Sequence, residues 1–363
     1  MSSANDIIYE DIEEIVRVVG KDTFLPLSGK TLLITGPCGL LGGYLVEVLI
    51  YLNEHFFEKP CEILGITRGN SKRLMYFFKR HRDFHCVLGN ATNESMFYEL
   101  EPLRHRGKLD FVIHAAGRSA PSSFVSDPIG TIDINTKAIR WLLERSVIEK
   151  IESIAYFSSS EIYGNPSPEW IPTPEVYPGS TYSLGARGCY TESKRCGEAL
   201  CMAFHKEHKT PVKILRPMLV YGPGLSINDG RVMAEFMRQG INGQPIKMKD
   251  DGSAKRAYCY ITDAMIIFWK IFLSDWNGDA FNIGNEKEVV MIKELANLVH
   301  ELCGIDAEPE EGHLNPSNEE VLSSAPVEAR LSMAKVKAQT GYEAKVSLRE
   351  GLARTIEWAR NEG

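Results

Sequence analysis

Between Lys30 and Ile283 the chain alternates short apolar, β-branched runs with longer stretches whose apolar positions recur at helical intervals. Strands are expected at Thr31–Thr35, Glu62–Ile66, His85–Leu88, Phe111–Ala115, Ile154–Ser158, Val212–Leu215 and Ala280–Ile283. Helices are expected between them, notably over 40–53, 131–147, 189–207 and 230–240. The strand runs are apolar at nearly every position, which suits strands covered on both faces. With helices as the connections, the expected fold class is α/β with a doubly wound parallel sheet. Such sheets bind ligands outside the carboxyl ends of their strands.

Two regions depart from this alternation. Residues 5–19, NDIIYEDIEEIVRVV, place apolar side chains at helical spacing with acids on the other face, and Leu25-Pro-Leu-Ser-Gly29 then breaks the pattern. From Pro217 to Arg256 and beyond Glu286 the rhythm lapses and glycine, proline and charge increase. The expected organisation is an amphipathic helical extension over 1–29 and a main sheet domain over 30–217, joined by the strand within 257–286. A smaller lobe, built from 218–256 and 287–363, would cover the strand ends.

Composition narrows the class without naming a chemistry. At 363 residues there is ample material for a core, and a formal charge of -7 with a pI near 5.8 argues against a nucleic-acid partner. No run approaches about 18 uninterrupted apolar residues, and Met1-Ser-Ser-Ala-Asn-Asp lacks the features of a signal peptide, so no membrane is expected and the compartment reads as cytoplasmic. Cysteines at 38, 61, 86, 189, 196, 201, 259 and 303 form no C-x-x-C or zinc-like spacing; they read as reduced thiols, mostly core fillers. The histidines form no metal constellation, and no metal is expected. Asn90-Ala-Thr92 and Asn93-Glu-Ser95 match the glycosylation pattern by chance on this reading.

The first strand runs into Thr35-Gly36-Pro-Cys-Gly39-Leu40-Leu41-Gly42-Gly43, followed by an apolar helix. Gly36, Gly39 and Gly42 allow a tight turn and close backbone approach to a pyrophosphate, which would sit at the helix start by Leu40 and Leu41. The loop therefore predicts a bound dinucleotide. An acid ending the second strand would read an adenosine ribose. Here that edge is Thr67-Arg68-Gly-Asn-Ser-Lys72-Arg73, whose cations tilt the reading from NAD towards NADP. Asn90 after the third strand is placed to face the adenine, and Ala115 and Ala116 at the end of the fourth offer small residues beside the cofactor. His114 reads as packing rather than catalysis.

Tyr190-Thr-Glu-Ser-Lys194 adds acid–base chemistry. A phenol titrates near ~10, and a lysine one helical turn away favours the phenolate, making Tyr190 a candidate general base. Ser158-Ser159-Ser160-Glu161 ends the fifth strand and supplies hydroxyls and a carboxylate near the same level.

Together, Gly36-x-x-Gly39-x-x-Gly42, Ser158-Ser-Ser-Glu-Ile-Tyr-Gly164 and Tyr190-x-x-x-Lys194 resemble the extended short-chain dehydrogenase/reductase family from about Lys30 onward. The resemblance implies a Rossmann-like NAD(P) domain, a C-terminal lobe for a nucleotide-diphosphate sugar, a tightly held, recycled cofactor, and a homodimer. Within the family the blocks Ala186–Arg195, Asn228–Val232 and Gly252–Tyr258 look most like UDP-glucuronate decarboxylases. The implied roles are Tyr190 as base at the sugar O4, Lys194 on the nicotinamide ribose and as tuner of Tyr190, and Ser159 as an O4 partner. Glu161 would relay a proton or orient water. Arg231 and Arg256 would bind the diphosphate or a carboxylate, and Arg187 is a further candidate. Dehydratases of the family commonly carry Thr-Asp-Glu where this chain has Ser159-Ser160-Glu161, so Ser160 disfavours that branch. Leu219 stands where many relatives have a substrate-contacting Asn, and Ala138 ends a motif that is commonly Asn-x-x-Gly. A 4,6-dehydratase or a 4-epimerase shares most of the machinery, and a non-catalytic dinucleotide-binding partner protein is the alternative of another class.

Overall fold

A computed structural model describes residues 4–69, 72–105, 107–306, 308–312 and 326–362. The first six strands are β1 (Thr31–Thr35), β2 (Glu62–Thr67), β3 (Phe84–Leu88), β4 (Phe111–His114), β5 (Ser153–Phe157) and β6 (Val212–Pro217). They are followed by β7 (Val220–Tyr221), β8 (Lys255–Ala257), β9 (Cys259–Tyr260), β10 (Asp279–Ile283), β11 (Val289–Met291) and β12 (Glu328–Ala329). Seven of these form one parallel sheet in the order β10-β6-β5-β4-β1-β2-β3, the doubly wound arrangement expected from the pattern. Reversal of strand order at β1 and β4 opens a crevice at their carboxyl ends, where the glycine loop and Ala115 lie. β8 sits in a separate three-stranded sheet between β11 and β12, and β7 pairs β9.

One face of the large sheet carries helices Leu40–His55 and Ile261–Phe272; the other carries Pro128–Glu149 and Gly188–His208. Helix Leu40–His55 is buried from Gly42 through Leu52, which explains its lack of a polar face. It is enclosed by the sheet on one side and by the N-terminal helix, Ala4–Val19, on the other. That outer helix buries Ile7, Ile12, Ile15, Val16 and Val19 and leaves its acids largely outward.

One acid of the N-terminal helix points inward. Asp11 is 2 % exposed and accepts hydrogen bonds from the Tyr44 hydroxyl (2.7 Å), the Tyr260 hydroxyl (3.0 Å) and Arg354 Nη2 (2.9 Å). Tyr44 lies in the glycine-loop helix, Tyr260 ends β9, and Arg354 belongs to the C-terminal helix Leu348–Glu362. A single carboxylate thus joins three separate parts of the fold.

No helix among the described residues is long and apolar enough to cross a membrane. The cysteines are all unpaired, but only Cys61, Cys201 and Cys259 are buried; the others are half-buried or, for Cys196 on an outer helix face, exposed. Cys38, Cys86 and Cys303 pack against the core from its edge, so six of the eight serve as core or near-core fillers, as expected. One departure lies at the amino ends of the strands. Glu62, His85 and His105 bring ligand atoms within 4.8 Å of one another, a grouping invisible in their linear spacing because three separate segments supply it.

Candidate active site

The glycine loop is closed by contacts that leave no room for side chains. Gly36 has φ 72°, and a Cβ there would lie 2.9 Å from Ala116 Cα; a Cβ on Gly42 would overlap the Gly36 carbonyl oxygen. Gly36 N–H donates to Ile66 O (2.9 Å), tying the loop to β2, and Gly39 N–H donates to Gly36 O (3.2 Å). Gly39 caps the helix in extended conformation, so the first-turn amides at Leu40 and Leu41 face the crevice as donors for an anion. These features fit a dinucleotide pyrophosphate.

The rest of the cradle lies along neighbouring strand ends. Thr67 closes β2, and its carbonyl accepts from Gly89 N–H (2.8 Å). Arg68 is exposed just beyond; partial burial of its guanidinium, with Arg118 nearby, lowers its pKa against the pull of Asp127. Arg73 turns away from the ribose edge. Its guanidinium packs against Gly43, lies 5.7 Å from the ring centres of both Tyr44 and Phe77, and reaches Gly39 O at 3.4 Å. Asn70, Ser71 and the Lys72 side chain fall outside the described residues. Asn90 is exposed after β3, its Oδ1 accepting Thr92 N–H (3.2 Å).

At the end of β4, Ala116 N–H donates to Thr35 Oγ1 (3.2 Å), which lies 2.7 Å from His114 Nδ1. His114 Nε2 lies 2.9 Å from the Ile134 carbonyl, which can only accept, so the proton sits on Nε2 and Nδ1 accepts from Thr35. Burial, reinforced by Lys194, pushes this imidazole down to about 3. It is a neutral strut that orients the cofactor wall.

Tyr190 and Lys194 project from one face of helix Gly188–His208, and both are buried. The Tyr190 ring stacks on Phe124 (5.1 Å between centres). Burial pushes its hydroxyl up to about 12, opposed by the nearby Ser159 hydroxyl and by Arg231 and Arg187, while Glu161 adds to the rise. Lys194 donates to Phe157 O (2.6 Å) and lies 5.8 Å from the Tyr190 ring centre. A Cβ added at Gly117 would be 3.7 Å from its Nζ, so a small residue at the cofactor wall keeps the lysine accessible from that side. Burial pushes Lys194 down to about 7, with Glu198 opposing. Arg187, at the start of the same helix, and Arg231, from a separate segment, both draw the Tyr190 pKa down, and Lys194 lies beside its ring.

Ser159 has two duties. Its Oγ accepts Glu161 N–H (3.2 Å), capping the 3-10 turn Ser160–Tyr163, and it lies close enough to Tyr190 to draw that hydroxyl's pKa down. Ser160 opens that turn, half-buried. The Ser158 hydroxyl is buried with no hydrogen-bond partner among the described residues. Glu161 accepts from Arg187 Nη1 (2.5 Å), which fixes its carboxylate at the start of the tyrosine helix.

Arg231 begins helix Val232–Ile241 and is held by Asp229, with Nε to Oδ2 at 2.6 Å and backbone N to Oδ1 at 2.9 Å. Arg256 lies on β8, Nη1 donating to Lys255 O (2.8 Å). Burial lowers its pKa; Tyr258 and Glu161 oppose this and Arg187 reinforces it. Tyr258 is itself raised by burial to about 12, against the pull of Arg256 and Arg231. Tyr190, Glu161, Arg187, Arg231, Arg256 and Tyr258 thus share one electrostatic neighbourhood. Asp229 and Tyr258 were not singled out from the sequence, although Asp229 lies two residues before Arg231, a spacing that suits side chain-to-backbone capture.

Two departures from the family pattern have physical counterparts. Leu219 has φ 43°, a left-handed backbone that asparagine adopts more readily than leucine. Ala138 is fully buried in helix Pro128–Glu149.

Residues 32–284 match the model of the NAD dependent epimerase/dehydratase family. The chain is 30% identical over 330 residues to UDP-glucuronic acid decarboxylase 5 of Arabidopsis thaliana, covering 90% of this chain and 88% of that protein. In fold it is similar to UDP-glucose 4-epimerase of Thermotoga maritima, solved with UDP-glucose (TM-score 0.77, 24% identity, 92% of this chain and 99% of that one). It is also similar to DesIV, a dTDP-glucose 4,6-dehydratase of Streptomyces venezuelae solved with NAD and TYD (TM-score 0.77, 20% identity, 91% and 97% coverage). With the match spanning the glycine loop, the serine turn, the tyrosine helix and the arginine-bearing strand, the chain belongs to the NAD dependent epimerase/dehydratase family.

Proposed function

We propose that this chain is a nucleotide-sugar enzyme that works through a 4-keto intermediate, and specifically a UDP-glucuronate decarboxylase. The observation that carries the reading is the gathering of Tyr190, Ser159, Arg187, Arg231 and Arg256 in one electrostatic neighbourhood, with a hydroxyl rather than an acid at Ser160. The decarboxylase relatives, matched along about nine-tenths of the chain, support the same branch.

NAD, when bound, takes a hydride from C4 and later returns it. Gly36, Gly42 and the amides of Leu40 and Leu41 would hold its pyrophosphate, Ala115 and Ala116 would line its other side, and Lys194 would hold the nicotinamide ribose. Arg73, turned onto Gly43, is taken out of the set of cations at the adenosine ribose edge, which weakens the case for NADP, while Arg68 stays exposed beside it. Tyr190, acting as the phenolate, accepts the O4 proton as C4 is oxidised and becomes the phenol, with Ser159 as a second partner of O4. A C6 carboxylate on such a 4-keto sugar is a β-keto acid: the bond to C6 breaks, its electrons pass to O4, and carbon dioxide leaves. Tyr190, now the phenol, and Ser159 would donate to that oxygen as charge develops. Glu161, held by Arg187, would deliver a proton from water to C5, and Tyr190 would give its proton back to O4 as C4 is reduced, regenerating the base. Arg231 and Arg256 suit the diphosphate, since guanidinium bonds such oxygens in pairs.

On this reading residues 30–217 hold the cofactor, and 218–256 with 287–363 hold the nucleotide sugar. A cytoplasmic homodimer is part of the proposal. Exposed Ile129, Ile132 and Ile148 on helix Pro128–Glu149 and Met202 on the tyrosine helix support self-association across these helices. Purified protein should convert UDP-glucuronate to a product lighter by carbon dioxide. Loss of water from a nucleotide sugar would assign a dehydratase instead, and an isomer of unchanged mass an epimerase. Failure to turn over any nucleotide sugar would favour a non-catalytic dinucleotide-binding protein.

A further inference from the structure

We propose that Glu62, His85 and His105 form a site for a borderline transition-metal dication, with Zn2+ the best match. The site lies at the amino ends of the strands, opposite the nucleotide crevice, and is independent of the activity proposed above.

The geometry starts from the parallel register. Glu62 opens β2, and His85 lies beside Leu64, two residues further along, so Glu62 and His85 point to the same face. His105, in the connection from helix Ser95–Leu100 to β4, closes over them: its ring stands edge-on to His85 with centres 4.9 Å apart. One ligand atom from each of the three lies within 4.8 Å of the others. Zn2+ bound to nitrogen and oxygen at about 2.0–2.2 Å requires ligand atoms about 3.3–3.6 Å apart in a tetrahedron. Exposed His105 can supply that closure by side-chain rotation without moving either strand.

The electrostatics favour a cation. Glu62 is 2 % exposed, yet among the described residues its carboxylate meets only neutral donors: Thr31 Oγ1 to Oε2 (3.0 Å) and His105 N–H to Oε1 (2.9 Å). A buried carboxylate is normally paired with a cation or bound to a metal, and each oxygen here retains a lone pair. Two imidazoles and one carboxylate, with a fourth position open to solvent beside His105, form a donor set suited to Zn2+ rather than Mg2+ or Ca2+. Bound there, the ion would fasten β2, β3 and the connection into β4.

The test uses the full chain with its cofactor retained. Zn2+ titration followed by calorimetry and thermal unfolding should show one tightly bound equivalent and a rise in Tm. Co2+ in its place should give the visible absorption of a tetrahedral site. His105→Ala removes an exposed side chain, so folding should survive; it should weaken Zn2+ binding by about 100-fold and remove the Tm rise, while turnover without added metal stays unchanged. Glu62→Gln, isosteric and able to accept from Thr31, is the second variant and should weaken Zn2+ binding similarly. Absence of a stoichiometric Zn2+ equivalent in the wild type overturns the proposal, as does equal Zn2+ affinity in wild type and His105→Ala.

Discussion

Asp11 gives a prediction whose sign and size follow from the fold alone. Burial pushes this carboxyl up to about 6 from an ordinary value of 3.8, despite donors from Tyr44, Tyr260 and Arg354. The folded protein therefore holds the Asp11 proton more tightly than the unfolded chain does. The resulting stabilisation is complete below pH 3.8, and it is lost as pH rises through 6. Between pH 7.5 and pH 5 the two values predict a gain of about 1.4 kcal/mol from this group, about half of the roughly 3 kcal/mol that the full shift represents. Asp11→Asn keeps the shape and a carbonyl acceptor but cannot titrate. Urea unfolding of both proteins, followed by tryptophan fluorescence from pH 7.5 to 5, should show wild type gaining that amount relative to the variant. Parallel curves would mean that Asp11 does not titrate in this window. A wild type that instead loses stability relative to Asp11→Asn on acidification would show that Arg354 and the tyrosines outweigh burial, reversing the argument.

Removing the Tyr190 hydroxyl by Tyr190→Phe should lower turnover by about 10²–10⁴-fold, the usual range for an acid–base group, while leaving nucleotide-sugar affinity within a few-fold by calorimetry. Gly42→Ala should yield protein from which little or no NAD is released on denaturation, measured by mass spectrometry, because the added methyl meets the Gly36 carbonyl. Arg256→Ala should raise KM by about 10–100-fold, matching loss of a charge-assisted bond of about 1.5–3 kcal/mol; an unchanged KM in steady-state assays would remove Arg256 from the substrate site. Asp229→Ala should raise KM with little change in kcat, since Asp229 positions Arg231 and touches no reacting atom.

The large sheet was legible because its signal is local. Each of its seven strands appears in the sequence as a dense apolar run, and each lies within a residue or two of its expected place. The glycine loop was legible for a related reason: close backbone approach leaves glycine at Gly36 and Gly42, in a fixed order after a strand. Tyr190 and Lys194 could be paired from helical geometry, but the partners that act on Tyr190 could not. Ser159, Arg187 and Arg231 come from a strand end, a helix start and a loop, and only tertiary packing brings them to one hydroxyl. Arg73 shows the converse failure. Its position beside Arg68 suggested a phosphate contact, whereas burial against Tyr44, Phe77 and Gly43 gives it packing and cation–π contacts instead.

The amphipathic segment at the amino end was recognisable as a helix, but its apolar stripe did not reveal what it covers. The answer lies in helices Leu40–His55 and Ile261–Phe272, neighbours on one sheet face that are buried along nearly their whole length and so require a second cover. Once the N-terminal helix supplies that cover, Asp11 is carried into a buried pocket lined by hydrogen-bond donors, beside Tyr44 in the helix that follows the glycine loop. Tyr260 and Arg354 approach the same carboxyl from later parts of the chain. Docking the extension therefore couples the helix that begins at the phosphate loop to the segment following Arg256 and Tyr258. Disturbing Asp11 should be felt first in that relationship, before the sheet itself is affected, because the sheet's own core does not include the Asp11 hydrogen bonds.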